Sequence, residues 1–242
     1  VSSVQALPVR AAPIPTEVYV ATTGSDDAGC GAPDTPCRTI QQAVDIANSY
    51  DVIRVAEGVY RYAAGTSLPP PCYGGTALLP VVCILNKELS IVGGYRAGDW
   101  SSSDPAAHPT IIDGEGQRRG VLLQRTGPSE PPASLDMEGF VIQNGLAHGP
   151  DGQSGDRTFA FGGGVLADLS PLALRNVVFR YNRAVGGSTS AECYGGAGAG
   201  GGVAVRASPS ASFQNVIFEY NEARGGYGRD RGGLGIGGGL FA

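Results

Sequence analysis

Two stretches of the chain repeat one another closely enough to restrict what it can fold into. Phe161-Gly-Gly-Gly-Val165 leads to Leu174-Arg-Asn-Val-Val-Phe-Arg-Tyr-Asn182, and Ala199-Gly-Gly-Gly-Val203 leads to Phe213-Gln-Asn-Val-Ile-Phe-Glu-Tyr-Asn221. A third copy opens at Ile236-Gly-Gly-Gly-Leu240 and is incomplete at Ala242. Gly162 and Gly200 are 38 residues apart, and Asn182 and Asn221 are 39 apart. Self-similarity at such a period marks a solenoid, because one unit cannot bury its own apolar face but a stack of units can. Within a unit the apolar runs are short and lack helical spacing, which favours stacked β-coils over helical repeats. The expected fold is therefore all-β: a right-handed single-stranded parallel β-helix. The 39 glycines in 242 residues agree with it. That is more than twice the usual share, and glycine supplies tight and left-handed turns at a cost in backbone entropy.

A parallel stack places equivalent side chains above one another: Leu174 with Phe213, Phe179 with Phe218, and Val165 with Val203 and Leu240. Asn182 and Asn221 fall at a bend, where stacked amides can bond backbone groups and each other, as in asparagine ladders. Asn176 and Asn215 offer a second ladder. The alternative is a set of exposed turn asparagines that tolerate positive φ. Either role is structural. Glycine-rich inserts at 186–198 and 225–235 lengthen each coil on one side.

Upstream, residues 1–17 are rich in Pro, Ala, Val and Ser and lack a period. They read as a tail or linker, or as a strand donated to a neighbour, and 18–242 as the β-helix. Val18–Ala21 alternates as a strand does. A helical cap follows over about 36–49, with Thr35 as N-cap, Pro36 as first helical residue and Ile40, Ala43, Val44 and Ala47 on one apolar face. Val52–Val55 reads as a strand closed by Glu57-Gly58. From 60 to 110 the chain is irregular around Pro69-Pro70-Pro71, with strands at Val81–Leu85 and at Leu89–Val92, the latter ended by Gly93-Gly94. Thr110–Ile112, Val121–Leu123 and Met137–Ile142 complete the series before the repeats at about 161, 199 and 236.

Gly24-Ser25-Asp26, Pro36-Cys37-Arg38-Thr39-Ile40-Gln41-Gln42-Ala43 and Val55-Ala56-Glu57-Gly58-Val59-Tyr60 resemble the N-terminal cap of pectin-lyase-like right-handed β-helix proteins. Phe179-Arg-Tyr-Asn182 and Phe218-Glu-Tyr-Asn221, with the glycine triplets, resemble the repeats of polymorphic outer-membrane proteins. The resemblance covers about 18–242. It implies the β-helix fold, and that fold serves lyases, hydrolases, adhesins and structural surface proteins alike.

The formal charge of −5 comes with one lysine, Lys87, and no basic run, so the phosphate-neutralising surface of a nucleic-acid binder is missing. No apolar stretch approaches the length a transmembrane helix needs. Cys30 and Cys37 flank one Gly/Pro/Asp loop, and Cys72 and Cys83 another Gly/Pro-rich segment. Two local disulfides are the simplest pairing and place the chain outside the cell or at its surface. The alternative is a set of buried free thiols. Cys193 has no local partner in the sequence.

Chemistry-bearing clusters are sparse. Asp113 and Glu115, with Arg118 and Arg119 nearby, can supply carboxylates for glycoside hydrolysis or hold an anionic sugar, although an Asp-Gly turn is also a common strand exit. Asp136 and Glu138 share one face of a strand. Asp151 and Asp156 offer oxygens to calcium without the spacing of an established loop. Apart from that calcium, no cofactor is implied. His108 and His148 sit beside Pro109 and Gly149 as loop residues, and the glycine triplets are not followed by the helix a dinucleotide site needs. The expectation is an extracellular structural or adhesive β-helix that self-associates through its open C-terminal end, in filaments if the contact does not close, and contacts a glycan or other surface ligand. The alternatives are a polysaccharide lyase or glycoside hydrolase and a calcium-dependent glycan-binding module.

Overall fold

In the computed structural model of the chain, residues 16–64, 72, 79–152, 159–190 and 194–242 are described. Asp156, Cys193, Pro69–Pro71 and the tail up to residue 15 lie outside them. The chain is a parallel β-helix, nearly all β, with one short α-helix.

The lower coils show the plan best. Leu172–Arg180 forms two walls in one strand, bent at Asn176, whose φ is 53°. A second bend at Tyr181 (φ 57°) leads to the short strand Arg183–Val185, and the chain returns through Gly198–Ala199. The bend at Gly200–Gly202 then opens the third wall, Val203–Arg206. Ala211–Glu219 begins the next coil in register, with Leu174 beside Phe213 and Phe179 beside Phe218. On the third wall five strands stack: Val82–Leu85, Val121–Gln124, Val165–Asp168, Val203–Arg206 and Leu240–Phe241.

Alternation fills the interior. Val165, Val203, Leu174, Val177 and Phe179 are all fully buried, as are Ile91, Met137, Ile142 and Leu123 from the upper coils. Phe179 and Phe218 stack with centroids 5.3 Å apart at 14°, close to the spacing of hydrogen-bonded strands. In the last coil Phe213, Phe218 and Asn221 are less buried than their counterparts one coil above.

The first coil is closed by the helix Ile40–Ile46, which lays Ile40, Ala43 and Val44 on the core. The Gln41 amide completes the cover. It donates to Cys83 O (3.2 Å) and accepts from Cys83 N (2.7 Å), as a neighbouring strand would. Lys87 Nζ caps the helix end by donating to the carbonyls of Val44, Asp45 and Ala47 at 2.7, 3.0 and 2.7 Å.

Four expectations change. The helix starts at Ile40 with Thr39 as N-cap, not at Pro36 with Thr35, and it ends at Ile46, short of the expected 49. The reason is that residues before it are tied to the first strand. Cys37 bridges Val20 in parallel and is joined to Cys30, while Asp26 Oδ1 accepts from Arg38 N and Thr39 N. The first strand is Glu17–Val20, so Glu17 belongs to the wall and not to the tail. The expected strand Met137–Ile142 is two, Ser134–Glu138 and Phe140–Gln143, split by a corner at Gly139 with φ 77°. Gly93-Gly94 does not end its strand. Glu88–Arg96 continues and pairs antiparallel with Asp99–Ser103, which lays Trp100 edge-on against Tyr19, 5.0 Å between centroids.

Candidate functional site

Asp113 ends the strand Thr110–Asp113, and the turn after it carries Glu115 in a left-handed conformation (φ 57°). That turn folds Glu115 N back onto Asp113 Oδ1 at 2.9 Å. Asn144 Nδ2 donates to the same oxygen (3.1 Å), and Gln143 Nε2 donates to Oδ2 (3.0 Å), both from the next coil. Arg61 approaches Asp113 at 3.8 Å and Glu115 at 3.6 Å. Burial works against charge on Asp113, which is only 6% exposed. The donors from Gln143, Glu115 N and Asn144, with Arg61, outweigh that burial and hold its carboxyl below the usual range. Asp113 is thus an ionised brace between coils, a poor proton donor.

Beneath this brace the wall opens into a shallow slot of about 560 Å³, lined by Arg61, Asp113, Glu115, Asn144, Tyr181 and Arg183. Asn144, Tyr181 and Tyr220 follow the paired residues Gln143, Arg180 and Glu219, and all three have positive φ. The two tyrosine rings stack at 5.3 Å and 5°, yet they are 52% and 77% exposed. Left-handed backbone is costly for a bulky residue, about 1–2 kcal/mol. One coil higher the same position holds the smaller Asn144, so the ring column stops at Tyr181 and the slot begins.

The other sequence candidates do not line the slot. Asp151 Oδ1 accepts from Ser188 N at 2.7 Å, and its proposed calcium partner Asp156 is outside the described residues. Among the described residues no group of three or more His, Cys, Asp or Glu converges. Arg175 bridges Asp136 at 2.8 Å and Glu138 at 3.2 Å on the outer wall. His108 Nδ1 is 3.1 Å from Glu57. Asn182 and Asn221 are joined amide to amide at 3.0 Å, and Asn215 Nδ2 donates to Asn176 Oδ1 at 3.1 Å. The sulfurs of Cys30–Cys37 and of Cys72–Cys83 are bonded.

The residue-by-residue reading missed Arg61, Tyr181 and Arg183. Tyr181 did carry a signal, since both repeats have tyrosine immediately before the ladder asparagine. Arg61 carries none, because it stands in an irregular stretch.

A family model described as a protein of unknown function, DUF1565, matches residues 22–149, more than half of the chain. The chain belongs to the DUF1565 family. That family is associated with parallel β-helix proteins, in keeping with the fold. The DUF1565 match takes in the cap, Arg61, Asp113, Glu115 and Asn144 and stops before Tyr181. No curated protein matches the chain, and no solved structure does.

Proposed function

We propose that this DUF1565 protein is an extracellular or cell-surface β-helical scaffold that binds a glycan on its outer wall. The observation carrying this reading is the exposed Tyr181–Tyr220 stack, held in strained backbone, ending at a slot of mixed charge. A sugar ring laid on Tyr181 would continue the column, with hydroxyls in reach of Arg61, Glu115, Asn144 and Arg183. Two disulfides agree with an oxidising environment. Asp113 already accepts three hydrogen bonds, which supports a bracing role over a catalytic one.

The test is calorimetric titration of the chain with neutral and acidic oligosaccharides, with calcium and with a chelator. A glycan should bind, and Tyr181→Ala should weaken it by about tenfold with little change in melting temperature. An unchanged affinity in Tyr181→Ala sinks the reading. Release of reducing or unsaturated ends, lost in Asp113→Asn, would replace it by the lyase or hydrolase alternative.

A further inference from the structure

A second cleft lies on the third wall and shares no lining residue with the tyrosine slot. Its volume is about 240 Å³. Leu122 and Leu166, paired in register on neighbouring strands, line it together with Phe161. Asp168, 5% exposed, is clamped by Arg206 through two contacts of 3.0 Å, and Arg206 in turn covers the Phe161 ring at 5.1 Å.

The remaining charge is Arg119. Its Nε donates to Gly162 O and its Nη2 to Phe161 O, both at 2.8 Å, while Nη1 has no hydrogen bond among the described residues. Register makes this arginine unusual. Val121 pairs with Val165, and Val165 with Val203, so Arg119 occupies the level of Gly163 and Gly201 in the later coils. The repeat puts glycine there, and this coil puts a cation. Departures from a local rule concentrate where a site is built. The guanidinium lies deep enough that burial, with Arg206 beside it, pulls its pKa down to about 10 despite Asp168, so it stays charged at neutral pH. Arg119, Arg206 and Asp168 together leave one positive charge uncompensated, and His148 is the other titratable lining residue.

We infer that this cleft binds a small organic monoanion, a carboxylate on an apolar ring, with the carboxylate on Arg119 Nη1 and the ring between Leu122, Leu166 and Phe161. A single net charge calls for one negative charge. Asp168 in the wall disfavours a dianion such as phosphate, and the aliphatic floor disfavours a hydroxylated ring. The site is independent of the glycan reading and shares no residue with it.

Benzoate is the probe, titrated into the full chain by calorimetry beside benzamide, of the same shape without charge, and galacturonate, of the same charge with a polar ring. Benzoate should bind about tenfold or more tighter than either. Arg119→Gln should weaken it by a similar factor, and Arg61→Gln, in the other site, should leave it unchanged. Because Arg119 also holds Gly162 and Phe161, Leu166→Asp serves as a second variant. It adds like charge on a half-buried outer position and should abolish binding with the fold intact. Absence of benzoate binding overturns the inference. So does equal binding of benzamide, tighter binding of galacturonate, or full affinity in Leu166→Asp or in a folded Arg119→Gln.

Discussion

Asn182→Ala is expected to destabilise the protein by about 3–5 kcal/mol, whereas Asn221→Ala, the same residue one coil later, should cost only about 1 kcal/mol. Asn182 is fully buried. Its Oδ1 accepts from Gly145 N at 2.8 Å, and its Nδ2 donates to Ile142 O at 2.8 Å and to Asn221 Oδ1 at 3.0 Å. The amide thus satisfies backbone groups of the coil above and the amide of the coil below. Alanine leaves Gly145 N without a partner in a dry interior, takes one of two donors from Ile142 O and opens a cavity beside Asn221, and a single unsatisfied buried group alone costs about 1–3 kcal/mol. Asn221 makes the corresponding bonds, donating from Nδ2 to Phe179 O at 2.9 Å and accepting at Oδ1 from Asn182 N at 3.0 Å, but it is only partly buried, so water can take its place. Urea unfolding of both variants checks the ranking through the midpoint at constant slope. Equal shifts would mean that the interior amide is no more than a turn residue.

Much of this fold is legible because stacking repeats itself in the sequence. Once Asn182 and Asn221 are aligned, the pairs Leu174–Phe213 and Phe179–Phe218 follow with no further assumption. What repetition does not encode is harder to read. The helix start depends on Cys37 being held against Val20, a contact made in space by residues 17 apart. Trp100 reaches Tyr19 and Pro33 O through a hairpin whose first strand runs on through two glycines that locally read as its end. The slot depends on which coil carries Asn144 and which carries Tyr181, a difference between neighbours that has meaning only after register is known. Arg119 is the sharpest case. As sequence it is one of two adjacent arginines, and only the pairing of Val121 with Val165 reveals that it replaces a glycine. Positions shared by all coils specify the scaffold, and positions where one coil departs from the others specify the sites.

Gly164→Ala tests the scaffold half of that statement, and the expected loss is about 3 kcal/mol or more. Gly120, Gly164, Gly202 and Gly239 form a column at the bend before the third wall. A Cβ on Gly120 would stand 2.6 Å from Gly164 O, one on Gly164 2.5 Å from Gly202 O, and one on Gly202 2.6 Å from Gly239 O. Gly120, Gly164 and Gly202 are therefore required by the carbonyl of the next coil, not by their own dihedral angles. That carbonyl cannot retreat cheaply, because Gly202 O accepts from Val165 N at 2.9 Å. The sides are closed as well, with Phe179 Cδ1 at 3.0 Å and Asn182 Cγ at 3.2 Å from the same point. One methyl group thus sets the coil spacing against the ladder amide and the aromatic stack together. The control is Gly29→Ala, where a Cβ meets nothing within 4 Å and the backbone is not left-handed. That change should alter stability by no more than about 0.5 kcal/mol. If Gly164→Ala unfolds at the same urea concentration as Gly29→Ala, the coils have room to separate and close stacking is not what holds this solenoid in register.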